Sequence, residues 1–400
     1  MKGRRYDIDW LRIVAMLAVF CVHCMGFFTP FDWHLKNAER SDLFVIPTAW
    51  LDLWMMPLFF LLSGFASWYS LRSRSGGKYL LERVTRLLIP FYTMGALVLL
   101  PIQFYIERVS HNRYVGTLWQ QIPPYWDSYG SFRFRLDEPY LTNVWPGHLW
   151  FLQFLFLVSV LTLPLLLYLR SEPGQRLITR LAGWFNRRGG IFLLLIPLVL
   201  VRIALRSFFH GDHTWADLFY YAVFFLTGYV MAADVRFTES YKRHSWVCLA
   251  LGIAAWAAEL VLILELNYPY PGAESFSWTY VLFQTVVSLA NLSWVLLLLS
   301  MAARYLNFNN KLLAYGNEAL LPFYILHQTV ILAVGWFIIP LDLSILLKLL
   351  IISTTSFVII MALYELLIKR FNVLRFLFGM RLKKKQQPSV EAASLEEAES

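Results

Sequence analysis

Residues 9–23, DWLRIVAMLAVFCVH, govern the interpretation of the whole chain. The stretch is apolar enough to span a bilayer, yet it contains Asp9, Arg12 and His23. On an α-helix, Arg12 and His23 are about three whole turns apart, so they share one stripe roughly 16 Å long, and Asp9 lies one turn before Arg12. Because charged groups are costly inside a bilayer, we expect this stripe to face protein or a water-filled cavity.

The composition indicates a polytopic helical membrane protein. The chain has 400 residues, of which 58% are hydrophobic and only 15% are charged, and its mean hydropathy is +0.54. Repeated apolar runs of about 20 residues can satisfy their backbone hydrogen bonds in hydrocarbon as helices. All three cysteines, Cys21, Cys24 and Cys248, fall within these runs, which argues against a disulfide framework.

The charge pattern predicts an all-α membrane domain over residues 1–370 with both termini in the cytoplasm. Most lysines and arginines lie in alternate connecting segments, which the positive-inside rule assigns to the cytoplasm. The net charge of +9 therefore reflects topology and lipid contact and not nucleic-acid binding. Residues 371–400 are predicted to form a cytoplasmic tail, first basic and then acidic, that is disordered. The expected membrane spans are ten: 8–28, 44–71, 87–106, 148–169, 190–209, 217–235, 246–266, 280–303, 319–339 and 345–368.

Three places in these spans carry residues that could take part in catalysis or binding. His23 is suited to proton transfer near neutral pH. Arg83 and Arg86 lie one turn apart where the chain enters the third span, a position that favours anions such as phosphate. On spacing alone, ordinary positive-inside anchoring is the more common explanation of such a pair. Tyr324 and His327 share one face of the ninth span, at a different depth from His23. The two histidines would line a path across the membrane.

The long segment 107–147 is expected to lie outside the cytoplasm and is rich in aromatic residues, among them Trp126. Flat apolar rings with polar rims suit sugars, but an aromatic belt at the membrane interface explains the same composition. His148 and Trp150 begin the fourth span at this side, and composition alone leaves their role open.

Two further motifs have structural explanations. Ser63 and Gly64 in the second span allow close helix contact. Cys21 and Cys24 share a helix face that His23 only partly meets, and no second cluster completes a tetrahedral set. We therefore expect no metal.

Five motifs, in this order along the chain, resemble those of the integral-membrane acyltransferase 3 family. They are Arg12-(ten residues)-His23, Phe59-Phe60-x-x-Ser63-Gly64-Phe65, Arg83-x-x-Arg86-x-x-x-Pro90, Leu149-Trp150-Phe151-Leu152 and Phe323-Tyr324-x-x-His327. Each motif is weak alone, but five in this order at matching membrane positions are specific. The resemblance extends over nearly the whole chain, about residues 5–370.

The resemblance implies a multi-pass O-acyltransferase of the bacterial inner membrane. Such an enzyme moves an acyl group, here succinyl or acetyl, from cytoplasmic acyl-CoA to a hydroxyl group of a periplasmic or cell-surface glycan. His23, assisted by Arg12 and Asp9, would be catalytic, either as a general base or as a covalent acyl carrier. The residues implied to contact the donor are Arg83, Arg86, Ser63, Tyr324 and His327, and those implied to contact the glycan are His148, Trp150 and Trp126.

Two other classes of protein fit the same spans. A proton-coupled transporter or exporter of a glycan or small solute would also use buried charges and two histidines, although the halves of the chain show no evident inverted repeat. A membrane sensor or scaffold is the third class, but neither short terminus contains a signalling module. The sequence leaves the oligomeric state open.

Overall fold

The computed structural model of the chain describes residues 4–130, 138–141, 146–264 and 276–383. These ranges are helical and contain no β-strand, which confirms the predicted all-α membrane fold. The α-helices are α1 Tyr6–Met25, α2 Val45–Asp52, α3 Met55–Ser73, α4 Gly76–Arg83, α5 Leu100–Ser110, α6 Leu118–Gly130, α7 Trp150–Arg170, α8 Glu172–Phe185, α9 Leu195–Arg206, α10 Trp215–Ala233, α11 Val235–Arg243, α12 Ser245–Leu264, α13 Trp278–Tyr305, α14 Lys311–Ile338, α15 Ile345–Leu363 and α16 Asn372–Leu377.

Nine helical segments in the described part of the chain are long and apolar enough to cross a membrane, and each matches a predicted span. The predicted span 190–209 differs. It consists of a 3₁₀ segment, Gly190–Leu194, followed by α9, which has 12 residues. α9 alone is about 18 Å long, and the 3₁₀ segment adds about 10 Å, so the two together approach a hydrocarbon core of about 30 Å.

The third span is wound more loosely than an α-helix. Val84–Leu88 and Phe91–Leu99 are π-helical, and α5 follows directly. Pro90 stands between the two π-helical segments, and it has no backbone N–H to donate to the preceding turn. Because π-helical turns occur often at functional sites, this winding indicates that the start of the span could belong to one.

α3 and α10 pack backbone to backbone through two glycines. A Cβ atom on Gly64 would lie 1.9 Å from the carbonyl oxygen of Phe225, and one on Gly228 would lie 1.9 Å from that of Leu61. No other residue type fits at this distance. The close helix contact predicted for Ser63 and Gly64 is therefore present, and Gly64 is the residue that makes it.

α1 lies against α3, α13 and α14, so one of its faces is turned to the protein. Asp9 is buried on this face, and His23 is half-buried. On the other side of the helix, Leu17 and Cys21 are exposed. The polar stripe of the first span thus faces protein, as its cost in hydrocarbon predicts.

The C-terminal segment folds back onto α14 and the third span, where the hydroxyl of Thr93 donates to the carbonyl of Leu377 over 3.3 Å. α16 begins within the range assigned from the sequence to the tail, and its Arg375 lies 2.9 Å from Glu318 of α14. Arg375 Nε also donates to the carbonyl of Arg381 over 2.8 Å. Residues 384–400, including the acidic part of the predicted tail, lie outside the described residues.

Candidate active site

Asp9 and Arg12 of α1 form an ion pair near the end of the bundle that also carries Arg4. Arg12 Nη1 is 3.2 Å from Asp9 Oδ1, and Arg4 Nη2 is 2.8 Å from Asp9 Oδ2. Arg12 Nη2 donates to the carbonyl of Leu62 in α3 over 3.2 Å. These contacts offset part of the desolvation of Arg12, whose side chain also lines a cavity.

This cavity has a volume of about 930 Å³ and lies between α1, α3, the third span, α7 and α14. Its volume is within the range of small-molecule sites, about 300–1,000 Å³. Eight arginines line it and only two carboxylates, Asp9 and Glu82, so its mouth is strongly positive. The arginines are Arg4, Arg5, Arg12, Arg72, Arg74, Arg83, Arg86 and Arg381. We call the end of the bundle where they lie the basic end.

Away from the basic end, the cavity walls become mostly apolar. Ser63 lines this part, but its hydroxyl donates to the carbonyl of Phe59 over 2.8 Å. Tyr324 of α14 also lines the cavity, and Val19 is the furthest α1 residue in the lining. His23 follows Val19 by one turn of α1, so the cavity approaches this histidine without including it among its lining residues.

Arg83 and Arg86 are held differently at the mouth. Arg83 Nη2 donates to Ser67 Oγ over 2.7 Å, and its guanidinium lies 4.9 Å from the ring centre of Tyr79. Arg86 Nη1 is 3.7 Å from Glu82 Oε1, and 47% of its side chain is exposed. Arg83 is therefore fixed in place, whereas Arg86 is free to turn toward a ligand.

His23 and His327 meet in a direct hydrogen bond between α1 and α14. His23 Nδ1 lies 2.8 Å from His327 Nε2. His327 is fully buried, and its Nδ1 lies 2.6 Å from the carbonyl oxygen of Tyr324. The position of each histidine along its own span predicts that the two lie at different depths, but the structure places them side by side.

His148 completes a group of three neighbouring imidazoles. Its ring stands perpendicular to that of His327, with 4.8 Å between centres. Its Nε2 donates to the carbonyl of Ile325 over 3.2 Å, and Gln103 approaches its Nδ1 at 3.4 Å. The hydroxyl of Tyr324 donates to the carbonyl of His148. Tyr324 thus connects the cavity to the three histidines.

Four polar residues of this region escape the sequence analysis: His34, Gln103, Glu107 and Gln328. Gln328 Nε2 lies 2.7 Å from His34 Nε2, and His34 Nδ1 lies 2.6 Å from Glu107 Oε2. The signal that could reveal two of them is an amide within an otherwise apolar span, as at Gln103 and Gln328. His34 lies in a connection, where only the folded chain shows its proximity.

Trp33 covers one face of the His23 ring. The two rings are stacked at 5.3 Å with an angle of 24° between them. This approach needs Gly26, because a Cβ atom there would lie 2.7 Å from the Trp33 ring. The imidazole of His23 is therefore stacked on Trp33 and hydrogen-bonded at its edge to His327.

Two residues implied to contact the glycan lie apart from this group. Trp150 is buried and is not among the residues that line the cavity, and its ring lies 4.1 Å from that of His213. Trp126 lies in α6 and is 47% exposed. The segment around it is described only in part, since residues 131–137 and 142–145 lie outside the described ranges.

Within the described ranges, no three His, Cys, Asp or Glu side chains are arranged to hold a metal ion. Cys21, Cys24 and Cys248 are free thiols. The polar groups of these ranges are instead suited to bind an anion at the basic end and to move a proton among imidazoles.

Fold and site together define a multi-pass membrane protein in which a basic cavity leads toward buried histidines. The chain belongs to the acyltransferase 3 family, whose acyltransferase domain matches residues 5–365. It is thus a membrane acyltransferase.

The curated relatives of the chain include glucans biosynthesis protein C from Salmonella paratyphi B and the protein of the same name from Salmonella agona. Each is 24% identical over 398 residues, which covers 96% of this chain and 97% of the relative. The similarity therefore extends over the full length of both proteins. No solved structure matches the chain.

Proposed function

We propose that this protein transfers an acyl group from acyl-CoA, through the membrane, to a hydroxyl group of a glycan. The observation that carries the proposal is the arginine-lined cavity, which extends from the basic end to within one turn of His23. A cofactor with anionic phosphates and a narrow uncharged arm matches a cavity with a charged mouth and an apolar interior.

The arginines at the mouth would bind the phosphates of CoA. Arg83 is already oriented by Ser67, and Arg86 can exchange its distant contact with Glu82 for a phosphate oxygen. Guanidinium groups bind phosphate through paired, charge-assisted hydrogen bonds, which set both affinity and orientation. The pantetheine arm would then pass Arg12 and Ser63 and present the thioester near Tyr324.

His23 would activate the acceptor. Its imidazole takes the proton of the glycan hydroxyl as the oxygen bonds to the thioester carbon. The carbon–sulfur bond breaks, and the departing thiolate receives the proton from His23, so the enzyme returns to its starting state. Transfer of the acyl group first to His23 and then to the hydroxyl uses the same contacts and is the second form of this proposal.

The direction of transfer follows from the distribution of charge. The basic end carries Arg4, Arg83 and Arg86, and the positive-inside rule assigns such segments to the cytoplasm. Acyl-CoA would enter from there, and the glycan would approach the opposite side, in a bacterium the periplasmic side of the inner membrane.

The printed name of the relatives, glucans biosynthesis protein C, supports a glucan as the acceptor. The acyl group we propose is succinyl or acetyl. The rates of transfer from succinyl-CoA and from acetyl-CoA can therefore be compared on one acceptor.

The test measures free CoA released by the full-length protein in lipid vesicles, supplied with succinyl-CoA or acetyl-CoA and a glucan. Release is expected to depend on the glucan, and mass spectrometry should find the matching ester on the sugar. His23→Ala should abolish release. Arg187→Ala changes an exposed arginine outside the cavity lining and serves as the matched control.

Two outcomes contradict the proposal. One is full CoA release in well-folded His23→Ala protein. The other is flux of protons or glucan across the vesicle membrane without any acyl donor, which favours the transporter that the spans alone also allow.

A further inference from the structure

The protons on the imidazoles of His23 and His327 can be assigned from their partners. The carbonyl oxygen of Tyr324 only accepts hydrogen bonds, so the His327 Nδ1 that lies 2.6 Å away carries a proton. His327 is fully buried, and no carboxylate contacts it among the described residues, so its neutral form is favoured. In neutral imidazole the second nitrogen, Nε2, is then an acceptor.

The same reasoning extends to His23. Its Nδ1 lies 2.8 Å from the accepting Nε2 of His327 and must therefore be the donor. The remaining nitrogen, His23 Nε2, holds the free lone pair. Within the described ranges it makes no hydrogen bond, and His23 keeps accessible surface whereas His327 has none. Of the two histidines, only His23 keeps accessible surface at which a substrate can approach.

We propose that His327 is a positioning residue that fixes His23 in the Nδ1-protonated form and thereby makes His23 Nε2 the reactive nitrogen. This inference rests on the proposed function for its consequence but not for its geometry. It differs from the role that the sequence assigns to His327, which is contact with the acyl donor.

The surroundings of His327 prevent its ring from turning. His148 stands edge-on to it at 4.8 Å, and Phe323 of the same helix lies parallel to it at 6.4 Å. His148 is itself fixed by its hydrogen bond to the carbonyl of Ile325. A rotated His327 ring would lose the bond from Nδ1 to Tyr324 and could no longer accept from His23.

The protons on His23 and His327 are the same before and after the proposed reaction. When His23 Nε2 takes the proton of the hydroxyl, His23 becomes a cation and its Nδ1–H binds His327 Nε2 more strongly. The positive charge is then shared between two rings, and the Tyr324 carbonyl supports the second ring. As the carbon–sulfur bond breaks, His23 Nε2 gives the proton to the thiolate, and His327 ends with the proton it began with.

The test reads the tautomer directly. Full-length protein labelled with ¹⁵N-histidine is placed in lipid bilayers and examined by solid-state NMR, and the signals of His23 are assigned by their loss in His23→Asn. Wild-type His23 should be protonated at Nδ1. His327→Leu should convert it to the Nε2-protonated form, whereas His327→Gln, whose amide oxygen can accept near the position of Nε2, should keep Nδ1 protonated.

Tyr324→Phe is the matched control for this measurement. It removes the hydroxyl but leaves the backbone carbonyl that orients His327, so the tautomer of His23 should not change. An Nε2-protonated His23 in the wild type, or an unchanged tautomer in His327→Leu, would overturn the inference. If His327→Leu does not fold, the wild type and His327→Gln still decide it.

Kinetics separate positioning from donor binding. His327→Leu should lower kcat about 100-fold or more, as loss of an oriented base does, while KM for acyl-CoA changes less than about threefold. His327→Gln should retain roughly tenfold more activity than His327→Leu. A rise in KM with unchanged kcat would return His327 to donor binding. The absence of acyl transfer in the wild type would refute the proposed function but leave the tautomer result standing.

Discussion

Arg83 Nη2 lies 2.7 Å from Ser67 Oγ, so α3 holds the arginine that begins the third span in a fixed orientation. We expect Arg83→Ala to raise KM for acyl-CoA about 10- to 100-fold, because a hydrogen bond to a charged group contributes about 1.5–3 kcal/mol. Ser67→Ala keeps the charge and loses the orientation, so it should raise this KM only a few-fold. Steady-state kinetics with varied donor measures both. Equal effects of the two variants would show that the charge of Arg83 is not used.

Glu82 restrains two arginines at the mouth of the cavity, Arg74 and Arg86. Glu82→Gln should therefore lower KM for acyl-CoA about threefold at low ionic strength, since it releases positive charge. Salt should remove this gain because exposed charges are screened within about 10 Å at 0.1 M.

Arg86→Ala should act in the opposite direction and weaken the apparent affinity for the donor more than that for the glycan. An effect of Arg86→Ala on the glycan alone would place the phosphates elsewhere.

Gly64 leaves no room for a side chain against α10. Gly64→Ala would place its Cβ 1.9 Å from a backbone oxygen, so α3 and α10 must separate. We expect a loss of about 3 kcal/mol or more, at the upper end for overpacked cores, seen as a lower thermal midpoint in detergent. Gly77→Ala is the control, because nothing lies within 4 Å of its Cβ position and alanine favours the helix. Equal midpoints for the two variants would contradict the packing argument.

Asp9 neutralises Arg12 within the membrane region. Asp9→Asn should lower the free energy of unfolding by about 1–3 kcal/mol, less than for a fully buried pair because Arg12 retains 25% exposure. The double variant Asp9→Asn with Arg12→Gln removes both charges and should recover most of this loss. Denaturation of the purified proteins gives both values. A double variant less stable than Asp9→Asn alone would show that Arg12 is stabilised chiefly through Leu62.

The sequence predicts well those features that depend on one helix. The stripe of Asp9, Arg12 and His23 follows from helical spacing and the cost of charge in a bilayer, and the structure turns it toward protein. Gly64 as a contact residue follows from the size of its side chain. The chain also belongs to the family that its motifs resemble.

Features that depend on which helices meet could not be predicted. Periodicity places His23 and His327 at different depths, but it cannot specify how α1 and α14 slide along each other, and this offset creates their hydrogen bond. The same holds for His34 and Glu107, which come together from a connection and from α5. The division of the predicted span 190–209 into a 3₁₀ segment and the short α9 could not be predicted, because hydropathy alone does not show where an α-helix begins.

The residues of this site come from the first and the last parts of the chain to be synthesised. His23 and His327 are 304 residues apart, and Arg381 reaches the cavity from a segment that follows the last long helix. A ribosome that has produced the first nine-tenths of the chain has therefore not yet supplied the whole entrance. The cavity is complete only after the segment that follows the last long helix has been synthesised and has packed against the bundle.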